Sequence, residues 1–419
     1  MEEINKLNYE RKSEQAFKIK ADYHHVLLAF ILAIIFFNPF NISRYALLFL
    51  FMYIVLKGFK KKVLGTLFNS IQFWGLFLFC ILYATVQFSY QFIGITDFIK
   101  YLIYPLLLYI FGLVIITRIK NEKQIVYYLY AVILSFALFG ILSVFYSMQV
   151  YGIVGGGLQM RVGIVPWAGD IELSSTGIGI YVCLGIALSG LMFIKTNIFL
   201  KALNALIFLP SLYSSIVLAV RTGLVIAVSS AILIYYTQMR LNSIKNNIKI
   251  AFLFMVQCFL LILLFNKNVF NVKMMWLQSN AFERFSNEGL SNDPRYIVWG
   301  EAFKGLFTNP LGGKQAQLSL GYAHNLWLDV GWTTGLFPFI LLVFFTLMAL
   351  KDYIKLLRSD DLSLYFKYLI TAMLCGFFIT FMLEPIIEAN VLFFCAFCFF
   401  SGILRSLNKR NNFVLKRLP

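Results

Sequence analysis

The chain has 419 residues, of which 60% are hydrophobic and 13% are charged, with a formal net charge of +17 at pH 7. Soluble domains carry about a quarter charged residues, so this composition excludes a soluble globular protein and predicts a membrane protein. The basic residues form short clusters between apolar runs, a pattern that sets membrane topology and argues against nucleic acid as a partner.

The apolar runs predict an all-α polytopic membrane protein with about twelve transmembrane helices, since one span needs about 20 residues. The predicted spans are 25–41, 43–57, 64–88, 98–117, 125–148, 175–194, 198–219, 222–239, 250–266, 326–350, 366–383 and 387–404. Connections rich in Lys and Arg alternate with connections poor in them, which places both termini in the cytoplasm. The chain is then a single membrane domain with cytoplasmic segments at 1–25 and 405–419.

Two connections on the outer side are too long for simple turns, namely 149–174 and 267–325. The second is the large outer loop. Within it, Val298, Ala302 and Leu306 recur at helical spacing, which predicts a short amphipathic helix over 295–307.

Arg221 interrupts an apolar run and falls at the outer mouth of two predicted spans. One reading is a snorkelling arginine that merely ends a helix. The other is an anion-binding arginine, with backbone N–H groups from the helix that starts at Thr222-Gly223. Arg161 and Arg295 lie in the two long outer connections, and either alone is typical of a solvated surface charge. Together with Arg221, they would suit a diphosphate carried on a lipid.

His324 is the outer histidine of the three in the chain, and it begins the predicted span 326–350 together with Asn325. A histidine here can act as a general base near neutral pH, or it can be a hydrogen-bonded interfacial residue. Glu384, beside Pro385 between the last two spans, is a candidate to orient a sugar hydroxyl. The outer acids form no close pair, so no metal site is predicted.

These residues resemble the signature of the bacterial O-antigen ligase and O-antigen polymerase superfamily. That signature is His, then Asn, Ser or Gln, then nine residues, Gly, two residues and Gly, and here His324-Asn325 precedes LWLDVGWTT and Gly335. Pro338 stands where the second glycine is expected. The resemblance extends to Arg221-Thr222-Gly223 and to Arg295-x-x-x-Trp299 ahead of the turn Pro310-Leu311-Gly312-Gly313.

The resemblance implies a glycosyltransferase that takes a glycan from undecaprenyl diphosphate at the periplasmic face of a bacterial inner membrane. His324 would be the catalytic base, and Arg221, Arg295 and Arg161 would bind the diphosphate. Asn325 and Glu384 complete the expected substrate-binding set. Neither a metal nor another cofactor is implied, and the expected partners are the lipid-linked oligosaccharide, the bilayer, a chain-length regulator and a flippase.

Three functions stay open on the sequence. The segment around His324 favours a polymerase, which adds the growing chain to a new lipid-linked repeat unit. A ligase, which moves the polymer to lipid A-core, is the alternative. A lipid-linked oligosaccharide flippase is the second alternative, although the sequence lacks the two similar halves expected of such a transporter.

Overall fold

The computed structural model describes residues 23–58, 65, 67–119, 121–154, 157–158, 162–241 and 294–411, with single positions between 255 and 286. Within these residues, nine helices are long and apolar enough to cross a membrane. The predicted all-α polytopic membrane fold is therefore confirmed, while the count of about twelve spans and their orientation stay predictions. The segments 1–22 and 412–419 lie outside the described residues, as does the predicted span 250–266 together with 267–293, apart from those single positions.

The described helices coincide with most of the predicted spans, with boundaries that differ by up to seven residues. They are α1 (Tyr23–Phe37), α2 (Ser43–Gly58), α3 (Ile71–Ser89), α4 (Ile95–Ile116), α5 (Glu122–Tyr151), α6 (Ser175–Ile186), α7 (Ile198–Val217), α8 (Arg221–Leu241), α9 (Arg295–Thr308), α10 (Leu326–Thr334), α11 (Leu336–Leu357), α12 (Leu364–Leu383) and α13 (Ile386–Asn411). A 3₁₀ segment, Ala187–Phe193, continues α6. The short helix predicted over 295–307 is α9. The span predicted over 326–350 is divided into α10 and α11 at Gly335.

Several helices start at a polar side chain that the sequence places just before an apolar run. Ser70, Asn121, Ser174 and Ser363 each accept the backbone N–H of the residue three positions later. This capping satisfies one of the backbone donors that a helix leaves without an intrahelical partner. The helices after Asn121, Ser174 and Ser363 start within three residues of the predicted positions, whereas α3 starts after Ser70, seven residues later than predicted.

The connection 149–174 contains two small antiparallel hairpins that were not predicted from the sequence. β1 (Ile153–Val154) pairs with β2 (Gly157–Leu158), and β3 (Val162–Val165) pairs with β4 (Ala168–Ser174). The second hairpin is held to α5 because the Ile164 amide donates to the Ser147 hydroxyl at 2.8 Å. Arg161 lies between the hairpins, outside the described residues.

The packing of α4 against α13 depends on two glycines. A Cβ atom on Gly112 would lie 2.3 Å from the carbonyl oxygen of Phe399, and one on Gly402 would lie 2.3 Å from that of Tyr109. Small residues let helices in a membrane approach closely, and any side chain here would push these two apart. The contact fixes α13, whose first turn belongs to the candidate site.

Polar contacts gather the helix termini at two separate ends of the bundle. At one end, Arg405 Nη1 of α13 lies 3.2 Å from Asp352 Oδ1 of α11, and the Ser363 amide before α12 donates to Glu122 of α5 at 2.8 Å. The other end joins the start of α8, the end of α12 and the start of α13. That second end also holds His324.

Candidate functional site

His324 is the last residue but one before α10, and it is partly buried. Its backbone φ is +53°, a left-handed conformation in which His is enriched among non-glycine residues. α10 starts directly after this turn, at Leu326, which is the predicted start of the span 326–350. Trp299 Nε1 donates a 2.8 Å hydrogen bond to the carbonyl of Ala323. α9 therefore holds the residue that precedes His324.

The Arg-x-x-x-Trp motif of α9 places two side chains one helical turn apart, on the same face. Trp299 contacts the His324 loop, while Arg295 Nη2 lies 3.7 Å from Glu384 Oε1. That separation is an ion pair and is too long for a hydrogen bond. One short helix thus contacts both the loop of the candidate base and the turn between α12 and α13.

Glu384 lies at the end of α12 and is almost completely buried, with 1% of its surface exposed. Its Oε1 atom accepts a short hydrogen bond from the Thr222 hydroxyl and faces the Arg295 guanidinium. A buried carboxylate is costly unless it has such partners. The carboxylate therefore joins α8, α9 and α12. Its predicted contact with a sugar hydroxyl stays a prediction.

Arg221 is the first residue of α8, next to the Thr222 that donates to Glu384. A tight turn precedes it, because Ala219 has φ +54° and the Val220 amide donates to the Ser215 carbonyl at 3.0 Å. Gly223 permits α8 to start here, since a Cβ atom on it would lie 2.1 Å from Ser215 Oγ. The Arg-Thr-Gly motif thus places Arg221 at a helix N-terminus, where backbone N–H groups favour anions.

Asn325 is the N-cap of α10 and links the His324 loop to α12. Its Oδ1 accepts from the Leu328 amide at 3.2 Å, and its Nδ2 donates to the Met382 carbonyl at 3.4 Å. Met382 lies two residues before Glu384. His324 and the Glu384 carboxylate are therefore at the same end of the bundle, together with Arg295 and Arg221.

The turn Pro310–Gly313 packs backbone to backbone against the end of α10. The Leu336 amide donates to the Pro310 carbonyl at 2.8 Å, and the Gly313 amide donates to the Thr333 carbonyl at 2.9 Å. Gly335 has φ +91°, and a Cβ atom on it would lie 2.3 Å from Pro310 O. The two glycine motifs that the sequence singled out separately are thus one structural contact, and it separates α10 from α11.

Pro338, which replaces the second signature glycine, occupies the third position of α11. Proline is tolerated in the first turn of a helix, where its missing N–H has no intrahelical partner to lose. This departure from the pattern therefore leaves the local helix intact.

Asp329 is a residue of the candidate site that was not predicted from the sequence. It is fully buried on α10, and its two oxygens accept from the Ala323 amide at 2.7 Å and the Asn325 amide at 3.1 Å. Burial, and then the nearby Glu388 carboxylate, hold the pKa of Asp329 well above its ordinary value, against the opposing effect of the two amides. The i, i+4 spacing from Asn325 was the signal that could have found it.

Glu388, in the first turn of α13, adds a second carboxylate near Asp329. The Tyr83 hydroxyl of α3 lies 3.4 Å from Glu388 Oε1, and Gln87 Nε2 donates to that hydroxyl at 3.0 Å. Among the residues that the structure describes, no three His, Cys, Asp or Glu side chains converge as metal ligands would. The expected independence of a metal stays a prediction.

No family model matches this chain, and no curated protein matches it. Its function therefore has to be inferred from the residues around His324 and Glu384. Within the described residues, the structure brings together His324, Asn325, Arg221, Arg295 and Glu384 of the predicted set. Arg161 is the one predicted site residue outside the described part of the chain.

Proposed function

We propose that this protein is a polysaccharide polymerase of the O-antigen type, which joins undecaprenyl-diphosphate-linked repeat units at the periplasmic face of a bacterial inner membrane. One observation carries the proposal. The Glu384 carboxylate accepts from the hydroxyl of Thr222, the residue next to Arg221, and forms an ion pair with the Arg295 guanidinium. Two residues before Glu384, the Met382 carbonyl accepts from Asn325, which follows His324. A candidate base and two candidate diphosphate-binding arginines are thus supplied by separate elements to one region.

In the proposed reaction, a hydroxyl oxygen of the acceptor sugar attacks the anomeric carbon of the donor glycan. The bond between that carbon and the phosphate oxygen breaks, and its electron pair leaves with the lipid diphosphate. The hydroxyl proton passes to the His324 imidazole, which is a suitable base near neutral pH. A single displacement of this kind inverts the anomeric configuration, and it requires neither a metal ion nor a nucleotide sugar.

The charge that develops on the leaving diphosphate is the main electrostatic demand of this reaction. Guanidinium groups bind phosphate oxygens through paired N–H donors, and fixed donors of this kind stabilise developing charge. Arg295 is held by Glu384, and Arg221 stands at the N-terminus of α8. We propose that Arg161, in the connection 149–174, also binds the diphosphate. Asn325 and Glu384 are proposed to contact the sugars or to position the residues that contact them.

The proposal is tested with the purified protein in proteoliposomes that contain synthetic undecaprenyl-diphosphate-linked repeat units. Lengthening of the glycan without any nucleotide sugar is the expected result. His324→Ala should lower the rate by at least about 100-fold, the usual contribution of a general base. His24→Ala, which changes an exposed histidine of α1, is the matched control and should leave the rate unchanged. Normal long chains from His324→Ala would overturn the assignment of the base.

Arg221 is tested by a substitution that keeps its charge. Arg221→Lys loses the planar fork of donors, so lengthening should fall by about tenfold or more. Arg358→Lys, at the end of α11 on the opposite side of the bundle, should have no effect. Full activity in Arg221→Lys would favour the snorkelling interpretation of this residue.

The same vesicles distinguish the two alternative functions. A ligase would transfer the polymer to added lipid A-core and leave the lipid-linked chain length unchanged. A flippase would move the lipid-linked unit across the bilayer without lengthening it. Either result in place of lengthening would overturn the proposal.

A further inference from the structure

We infer that Asp329 is the positioning residue of His324, because its carboxylate accepts hydrogen bonds from the backbone amides on both sides of the histidine. This role rests on the proposed function, in which His324 is the base. Asp329 itself, buried beneath the loop, is not placed in contact with the substrate.

The strained backbone of His324 needs such support. A left-handed conformation is unfavourable for a residue other than glycine, and surrounding contacts must hold it in place. Here His324 has φ +53°, while the residues before and after it are almost fully buried. The sharp turn therefore persists because its neighbours are fixed.

The Asp329 carboxylate supplies that fixation through two hydrogen bonds. One oxygen accepts from the Ala323 amide at 2.7 Å and the other from the Asn325 amide at 3.1 Å, so that His324 lies between two bonds to a single carboxylate. The Asp329 amide in turn donates to the Asn325 carbonyl at 2.8 Å. The loop is thereby tied to the first turn of α10 at three points.

The contacts of Asp329 indicate that it fixes the backbone around His324 and does not serve as an ion-pair partner. Among the described residues, no Lys or Arg nitrogen forms a salt bridge with it, in contrast to Asp352, which pairs with Arg405 at 3.2 Å. Its carboxylate is 0% exposed, so leaving those amides without an acceptor would cost free energy. A buried carboxylate that binds only the amides flanking a candidate base is suited to holding that base in one geometry.

The test compares Asp329→Asn with Asp352→Asn, which alters an equally buried carboxylate at the opposite end of the bundle. In Asp329→Asn, one oxygen remains an acceptor and the new NH₂ group faces an N–H donor, so one of the two bonds is lost. We expect kcat to fall by about 10- to 100-fold with little change in KM, as misplacement of a catalytic group does. Asp352→Asn should lower Tm but leave kcat unchanged. An equal loss of kcat in both variants, or none in Asp329→Asn, would overturn the inference.

Two readouts do not depend on transfer activity and so separate this inference from the proposed function. The first is the rate at which diethyl pyrocarbonate modifies His324, measured by peptide mass spectrometry against His24 in the same molecule. Asp329→Asn should change the ratio several-fold and Asp352→Asn should not. The second is residue-resolved amide exchange in the wild-type protein, which needs no variant to fold. The Ala323 and Asn325 amides should exchange much more slowly than that of Tyr322, and equal rates would overturn the inference even if transfer is confirmed.

Discussion

Arg295 Nη2 and Glu384 Oε1 lie 3.7 Å apart, and through this contact the short helix α9 reaches the turn between the last two helices. The Thr222 hydroxyl of α8 donates a hydrogen bond to the same carboxylate oxygen. Glu384 is buried, whereas 19% of the Arg295 side chain is exposed. A buried carboxylate therefore holds a guanidinium group that is still partly exposed.

The first prediction concerns this pair. Arg295→Gln and Glu384→Gln should each reduce lipid-linked glycan lengthening, because the first removes the guanidinium and the second releases it from its fixed position. The two losses should not add, and the coupling in activation free energy should be about 0.5–3 kcal/mol, the range for residues in contact. The measurement is a double-mutant cycle on the transfer rate. Additive losses would show that Glu384 acts on the reaction independently of Arg295.

The second prediction concerns the contact between the two glycine motifs. Gly335→Ala forces a side chain into a left-handed position, where its Cβ would lie 2.3 Å from Pro310 O. We expect a loss of at least about 2 kcal/mol in stability, since strain and overpacking act together. Thermal unfolding in detergent measures it. Gly300→Ala, inside α9 with no atom within 4 Å of the new methyl group, should be neutral or stabilising.

The third prediction separates two indole donors that hold the same loop. Trp299 Nε1 donates to the Ala323 carbonyl and Trp332 Nε1 donates to the Ala316 carbonyl, both at 2.8 Å. Replacing either tryptophan by Phe removes one hydrogen bond of about 1 kcal/mol. The two variants should therefore lose similar stability, but only Trp299→Phe should lower the transfer rate, because its acceptor adjoins His324. Equal transfer rates in the two variants would contradict this role.

Most of the helical fold could be predicted from the sequence, because apolar runs and capping residues are local signals. α9 was predicted to within one residue and the start of α12 to within two, whereas α3 starts after the Ser70 cap, seven residues later than predicted. The division at Gly335 could not be predicted, since it depends on a carbonyl from the distant Pro310 turn. The small hairpins of 149–174 were also missed, because their strands are too short to show a periodic pattern.

The candidate site could be predicted as a set of residues but not as a geometry. Arg221 stood out because charge is rare at the ends of apolar runs. His324 stood out as the outer histidine, and Arg295 through its place in the Arg-x-x-x-Trp motif. What the sequence could not indicate was that Glu384 pairs with Arg295 and Thr222, since these partners come from three separate elements. Pro338 appeared to break the signature, yet its place in the first turn of α11 makes it compatible with the helix.

The last prediction uses the titration of Asp329. Its pKa is raised in the folded chain, mainly by burial and then by Glu388 of α13, while the Ala323 and Asn325 amides and Lys314 of the loop oppose the rise. The folded state therefore holds this proton more tightly than the unfolded state, in which the pKa is about 3.9. The resulting stabilisation is complete below that value and is lost as pH rises through the pKa of the folded state.

The expected result is a difference in Tm, wild type minus Asp329→Asn, that becomes smaller as pH rises from about 4 to about 8, since Asn does not titrate. Scanning fluorimetry of both proteins in one detergent gives the curve. Glu388→Gln removes a neighbouring negative charge and should weaken the pH dependence of the wild-type protein without abolishing it. A difference in Tm that grows with pH would mean that the two amide hydrogen bonds outweigh burial. In that case the protein would be most stable with Asp329 ionised, the form that accepts both amide hydrogen bonds. The raised pKa predicts the opposite, namely that the protein is most stable with Asp329 protonated.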